Sequence, residues 1–312
     1  MNKTIIICLS LSALLIMGSG GQKVTSGIIK SSSLKTATIK VMTFNIRVDT
    51  FLDGFNGWKN RRPIVCDILT NNAADVVGVQ EALLHQVEQI QQALPQYSNY
   101  MAGRNNGKQK GESCTIFYRK DRFTLDDSGT FWFSDTPAKP GSKGWGNLWP
   151  RICSWVHLVN KETGAGFYVY NVHLDVLSQN SRQKSAELLA SRIAARKLSD
   201  PFIVMGDFNM GLDNPAMVYL QNIGSQNPSP RMIDAWQSTR HDLTDGEKAP
   251  RIDHIVLSDN ALALNVTVDR YNVDGRYPSD HFPVVANIFL NTSPQNIKPV
   301  ALDAKTEKSL LN

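Results

Sequence analysis

The stretch "PFIVMGDFNMG" (201–211) decides how the chain is read. Four large apolar residues, Phe202 to Met205, form the short continuous run expected of a buried strand. The run opens onto Gly206, Asp207 and Asn209. Gly, Asp and Asn are turn formers for backbone reasons, so a plain turn is one reading of this end. A site is the other: along an extended segment, a spacing of two sends Asp207 and Asn209 to the same side.

Outward from this strand the same arrangement recurs. "TIKVMTFNI" (38–46) places Asn45 near its end, and "DVVGVQEA" (75–82) closes on Glu81. "FYVYNVHLD" (167–175) ends on His173 and Asp175, and "YPSDHFPVV" (277–285) sets Asp280 and His281 just ahead of a last strand. Each is a carboxylate, carboxamide or imidazole where an apolar run gives way to a loop, the edge at which α/β proteins gather ligands. Asp, Glu and Asn offer hard oxygen ligands that suit magnesium or manganese and not zinc. Two histidines without cysteine partners suit proton handling or phosphate contact. Taken singly, each residue also has a structural reading: a surface Glu, a turn Asn, a satisfied His.

Periodicity supplies the frame. Ile64, Val65, Ile68 and Leu69 recur at helical spacing within 58–71, as do Leu84, Val87 and Ile90 within 83–94, and a long helix is expected over 181–198. Extended segments are expected at 113–119, 122–133, 151–159, 166–172, 202–206, 251–257, 262–269 and 284–290. Strand, helix, strand at the start and hairpins in the middle predict a mixed α/β protein, with packed sheets covered by helices.

The chain has 312 residues, 42% of them hydrophobic, enough to bury a substantial core. Lys3, an apolar run from Ile5 to Met17 and the small residues Gly18 to Gly20 have the layout of a secretory signal peptide over 1–20. The run is shorter than the ~20 residues of a membrane-spanning helix, so stable insertion is not expected and the mature chain reads as periplasmic or secreted. Cys8 lies inside the run, which does not suit a lipid-anchored cysteine. Without residues 1–20 the balance is 32 basic to 28 acidic side chains, or +4. That suits an anionic partner, although scattered surface lysines give the same total. Residues 21–37 read as a linker, 38–290 as the folded domain and 291–312 as a flexible tail. Cys66, Cys114 and Cys153 form no C-x-x-C pair, which argues against a zinc cluster. Cys114 and Cys153, in strand-like segments, read as small buried residues, with one disulfide left open.

"TFNIR", "GVQEA", "NVHLD", "GDFN", "RIDHI" and "SDHFPV", in this order over residues 38–290, resemble the endonuclease/exonuclease/phosphatase superfamily. The segment "GTFWFSDTPAKPGSKGWGNLWPRICSW" further resembles a secreted bacterial branch of it. The resemblance implies a deoxyribonuclease I-like, four-layered α/β sandwich of two packed mixed sheets flanked by helices, with the site at one sheet edge. It implies a metal-dependent phosphoesterase using Mg2+, or Mn2+, with Asn45, Glu81 and Asp280 as metal ligands. Asp207 and Asn209 match the pair that orients the attacking water and contacts phosphate, and in some members a second metal. His281 matches the histidine assigned as general base or transition-state stabiliser, and Asp253 the acid that holds it. His173 matches the second histidine, which donates to a phosphate oxygen, and Glu112 resembles the acid that orients it.

The chemistry also stands on the residues themselves. A divalent cation at Glu81 and Asp280 would neutralise a phosphate ester that otherwise repels water. A histidine titrating near neutrality can take a proton from that water, and a carboxylate beside it raises its basicity. Arg151 reads equally as a bidentate phosphate clamp or as a surface arginine at a strand start. Trp145 and Trp149 could stack on a base or pack, and packing is expected of at least one. His254 faces away from Asp253 on a strand and receives no role. Arg182 reads as a solvated or paired residue.

Other chemistries fare worse. "GDFNMG" lacks the second aspartate that a calcineurin-like metallophosphatase needs. G-x-S-x-G, P-loop and H-E-x-x-H motifs do not occur. Nucleic acid is the first expected substrate, on the mild positive charge and the tryptophans. Lipid headgroups come second, because no extended aromatic hairpin marks membrane docking, and sugar or inositol phosphates third. A non-catalytic binding module is the alternative of another class, opposed by the completeness of the matched residues. The chain is taken as a monomer.

Overall fold

A computed structural model describes residues 35–221, 230–239 and 251–292. The signal, most of the linker and most of the tail expected from the sequence lie outside the described residues. The chain runs through β1 (Lys35–Asn45), a 3-10 turn (Phe51–Asn56), α1 (Trp58–Asn72), β2 (Val76–Ala82), α2 (Leu84–Ala93), β3 (Tyr97–Tyr100) and β4 (Ser113–Arg119). It continues through β5 (Phe123–Trp132), β6 (Ile152–Asn160), β7 (Gly166–His173), α3 (Gln179–Ala194), β8 (Phe202–Asp207) and α4 (Pro215–Gln221). β9 (Met232–Asp234), α5 (Ala235–Ser238), β10 (Asp253–Ser258), β11 (Ala261–Val268) and β12 (Val284–Thr292) complete it.

Two six-stranded sheets result, ordered β11-β12-β1-β2-β4-β3 and β5-β6-β7-β8-β10-β9. Each has one parallel pair at its centre, β1 with β2 through α1 and β7 with β8 through α3. All other pairings are antiparallel. Alternation along the strands explains the layers. In β1, Ile39 and Val41 face the other sheet, and Met42 and Phe44 face α1 and α2. In β8, Ile203 and Met205 enter the same inter-sheet core, while Phe202 and Val204 pack under α3 and α4. The expected four-layered sandwich of two mixed sheets is therefore found.

Parity then carries a functional consequence. Asn45, Asp207 and Asp253 continue the inter-sheet rows of β1, β8 and β10, as does His173 in β7 after Phe167 and Val169. Just beneath them the sheets are joined by polar groups: Asn171 Nδ2 donates to Val79 O (3.0 Å) and Thr115 O (2.9 Å), and its Oδ1 accepts from Gln80 (2.6 Å). Gly206 lets β8 lie against β7; a Cβ there would stand 2.0 Å from Val172 O.

The sequence reading missed β3, β9, α4, α5 and the 3-10 turn, all seven residues or shorter, too brief for a period to declare itself. It also extended α3 to 198, whereas the helix stops at Ala194. Ser178 caps its start, accepting from Ser181 N at 3.1 Å. Cys66, Cys114 and Cys153 are free thiols, the latter two buried. Among the described residues no helix is long and apolar enough to cross a membrane.

Candidate active site

Strand register assembles the centre. On β8, Asp207 is aligned with His173 of the parallel β7 and with Asp253 of the antiparallel β10. The three therefore stand side by side at one edge, all buried. His281 reaches them from the loop before β12, its Nδ1 2.7 Å from Asp253 Oδ2 and its Nε2 3.8 Å from Asp207 Oδ2. His173 Nε2 lies 3.5 Å from the same Asp207 oxygen. From the other sheet, Asn45 Nδ2 donates to Asp207 Oδ2 (3.0 Å) and to Glu81 Oε1 (3.1 Å). Asp207 is thus the group on which both sheets and both histidines converge.

Two members arrive by a route that alternation does not give. Glu81 has φ 62, where β2 breaks register against β4 between Val79 and Ala82. Plain strand parity would have sent its carboxylate to the helix side; instead Oε2 accepts from Val48 N at 2.8 Å. Asn209 likewise has φ 52, and its backbone N–H donates to Asp207 Oδ1 at 2.9 Å while its Nδ2 donates to Leu174 O. The end of "GDFN" is therefore a turn and a site at once. The expected extended spacing is corrected: Asn209 reaches the edge through a left-handed residue, a conformation Asn tolerates.

Asp280 lies at the same edge but is half-exposed, its Oδ2 3.2 Å from Arg47 Nη1. Arg47 also holds Asp53 through two hydrogen bonds of 3.0 and 2.7 Å. Ser279 Oγ donates to Asn45 O at 2.7 Å and ties the Asp280 loop to β1. Arg61, fully buried in α1, does the same from beneath, donating to the carbonyls of Ile46, Arg47, Asn56 and Pro278.

Beyond His173 lies a small crevice of about 10 Å3, lined by Arg104, Glu112, Cys114, Arg151 and His173 among others. Arg151 is buried there, 3.4 Å from Asp175 Oδ2, so it is not a surface arginine at a strand start. Glu112 lines the same space as His173, and its carboxylate pairs with Arg104 at 2.5 Å, because the β3–β4 loop folds Arg104 back onto it. Trp145 packs beside the helix-side core and bonds Asp135, whereas Trp149 is exposed. Arg182 donates to the Asp175 and Val176 carbonyls and shapes the loop after β7. His254 is buried on the opposite face against Asp234 and Met210 O. Sequence reasoning gave no role to Arg47, Arg61 or Arg104; the arginine of "TFNIR" was the one signal available.

Charge follows from this crowding. Burial, then the neighbouring Asp253, pushes Asp207 up to about 7, against the pull of His281, the Asn209 N–H and Asn45. Burial would lower His281, but the Asp253 hydrogen bond and charge, with Asp207 and Asp280, raise it to about 9. Burial, with Arg151, Arg104 and His281, holds His173 well below the usual histidine range and neutral. One oxygen or nitrogen each from Asp207, Asp253 and His281 lie within 4.8 Å of one another. The 2.7 Å hydrogen bond already occupies His281 Nδ1, Asp253 Oδ1 is buried without a hydrogen-bond partner, and Glu81, Asp207 and Asp280 bring further carboxylate oxygens to this edge. A buried carboxylate short of positive charge, flanked by such donors, fits a divalent cation.

Residues 42–281 match the model of the Endonuclease/Exonuclease/phosphatase family. An endonuclease/exonuclease/phosphatase structure from Bacteroides vulgatus superposes with TM-score 0.75 at 30% identity, covering 81% of this chain and 99% of that one. The mannosyl-6-phosphatase of Bacteroides thetaiotaomicron gives TM-score 0.72 and 32% identity, with 80% and 99% covered. A Ccr4 exoribonuclease subunit of the CCR4-Not complex from Aspergillus fumigatus is 25% identical over 170 residues, 46% of this chain and 24% of that protein. The chain spans less than two thirds of the curated relatives it matches.

Proposed function

Because the chain belongs to the endonuclease/exonuclease/phosphatase family and is a phosphoesterase, we propose that it hydrolyses a phosphate monoester carried on a sugar, by attack of water at phosphorus. The observation that carries the chemistry is the convergence on Asp207 of Asn45 (3.0 Å), His173 (3.5 Å) and His281 (3.8 Å). Support for a sugar phosphate comes from the likeness to the mannosyl-6-phosphatase over 99% of that chain, against a match to a quarter of Ccr4. Arg104 and Arg151 beside His173 add positive charge next to the site, which suits an anionic group. This order differs from the sequence expectation, which put nucleic acid first.

Asn45, Glu81 and Asp280 would hold the cation, with Asn209 a further oxygen donor; the hard oxygens favour Mg2+, and Mn2+ meets the same donors. When bound, the ion supplies neutralisation of the phosphate charge and of the leaving oxygen. Asp207 orients the water and takes its proton, since it is the carboxylate facing both histidines. His281, held as an imidazolium by Asp253, donates through Nε2 to a phosphate oxygen. That assigns it stabilisation of charge in place of the general-base role. His173, neutral, donates to a second phosphate oxygen. Arg151 clamps the phosphate from the crevice, and Glu112 acts through Arg104 to set its shape. Export through residues 1–20 belongs to the same proposal and would place the enzyme outside the cytoplasm.

The test is a panel of mannose 6-phosphate, inositol phosphates, sphingomyelin, single-stranded RNA and DNA, with magnesium. Phosphate release from the sugar ester, lost with chelator and in Asp207→Asn, is expected. RNA or DNA shortened while sugar phosphates stay intact would overturn the substrate.

A further inference from the structure

Single exposed apolar residues are normal on protein surfaces; contiguous groups of them mark a contact. Of the twelve large apolar side chains that stand exposed among the described residues, Leu262 and Leu264 lie on β11. The other ten all lie on four loops at the edge that holds Asp207. Phe51, Leu52 and Phe55, on the 3-10 turn after β1, are 93%, 78% and 92% exposed. Trp149 precedes β6, Leu177 follows β7, and Tyr277 belongs to the loop of Asp280 and His281.

A basic flank adjoins them. Lys108 and Lys110 on the β3–β4 loop and Lys139 and Lys143 on the β5–β6 loop are exposed. Trp132, at the end of β5, donates to Arg104 O at 2.6 Å and holds these two loops together. Their acids are Glu112, already paired with Arg104, and Asp135, which bonds Trp145.

We infer that this edge docks on an anionic lipid bilayer, with the Phe51–Phe55 turn entering the headgroup layer and the lysines meeting its negative charge. Phenylalanine and leucine have no polar tip to meet sugar hydroxyls, and the lysines complement an anionic surface. The residues stand on several loops at the sheet edge that holds Asp207, so a bilayer docked on them lies on the same side of the molecule as the site. The sequence reading found no aromatic hairpin for docking; the apolar group is built from separate loops. The docking surface is independent of which ester is cleaved, and binding is read without turnover.

The experiment is cosedimentation of the purified chain, in chelator, with vesicles of phosphatidylcholine alone and of phosphatidylcholine mixed equally with phosphatidylglycerol. Binding to the anionic vesicles is expected. It should fall at least about tenfold in the double variant Phe51→Ser, Phe55→Ser and about tenfold in Lys108→Ser, Lys110→Ser. Circular dichroism and melting of both variants should match the unaltered chain, because the replaced side chains are exposed. A chain that stays in the supernatant with both vesicles would overturn the inference. So would binding that the Phe variant retains, or a dimer in vesicle-free buffer that the Phe variant dissolves, which would make a second copy the occupant.

Discussion

Asp253→Asn removes the carboxylate that holds His281, and the consequence can be worked from the site. The His281 side chain is only 17% exposed, and burial by itself disfavours the imidazolium. The Asp253 hydrogen bond and charge, aided by Asp207 and Asp280, outweigh burial and lift the group from 6.5 to about 9. That rise corresponds to about 3 kcal/mol in favour of the charged form. Asn keeps the shape at 253 but loses the charge, so His281 should fall to its ordinary range or below. Titration of the imidazole ring protons by NMR, in chelator-treated protein, reads this directly. Stability should follow with a definite sign. A folded-state value above the unfolded one contributes stability that is complete below about 6.5 and is lost as pH rises through about 9. Urea unfolding of the unaltered chain should weaken across that window by up to about 3 kcal/mol, and Asp253→Asn should lack this part of the decline. A His281 that titrates near 6.5 in the unaltered chain, or one that Asp253→Asn leaves at about 9, would refute the reasoning.

Gly206→Ala places a Cβ 2.0 Å from Val172 O at a residue with φ +149; urea denaturation should show a loss of about 3 kcal/mol. His157, buried between Asp126 (2.8 Å) and Asp200 (2.9 Å), is raised above the usual histidine value because the two carboxylates outweigh burial. Its stabilisation is present below the ordinary histidine range and lost as pH climbs, so His157→Gln should flatten the unfolding profile above the ordinary histidine range. A profile unchanged by the substitution would count against a charged His157. Arg151→Met should raise KM for a phosphate ester by about tenfold with a smaller change in kcat, and an equal loss in both would place Arg151 outside ground-state binding.

What the sequence made legible was whatever depended on strand parity and on short apolar runs. Asp207, His173 and Asp253 could be placed at one edge because each ends or begins a strand, and register then brings them side by side. Glu81 and Asn209 sit in left-handed conformations, which no alternation rule predicts, so their direction was not legible even though their presence was. Arg61 and Arg104 act through loop carbonyls and a loop carboxylate, partners that only the folded chain brings within reach. The ion pair of Glu112 with Arg104 was hidden for the same reason. The Phe51–Phe55 turn was opaque in the opposite sense: two Phe and a Leu in five residues look like core, and only the tertiary structure leaves them in solvent.

The central claim is that Asp207 directs a water molecule at the phosphorus of an ester. Hydrolysis of mannose 6-phosphate in oxygen-18 water, followed by mass spectrometry of both products, addresses it most directly. One heavy oxygen in the released phosphate, none in the sugar, and a rate reduced about a hundredfold or more in Asp207→Asn are the predicted results. Label in the sugar hydroxyl, or a rate that Asp207→Asn leaves intact, would contradict it.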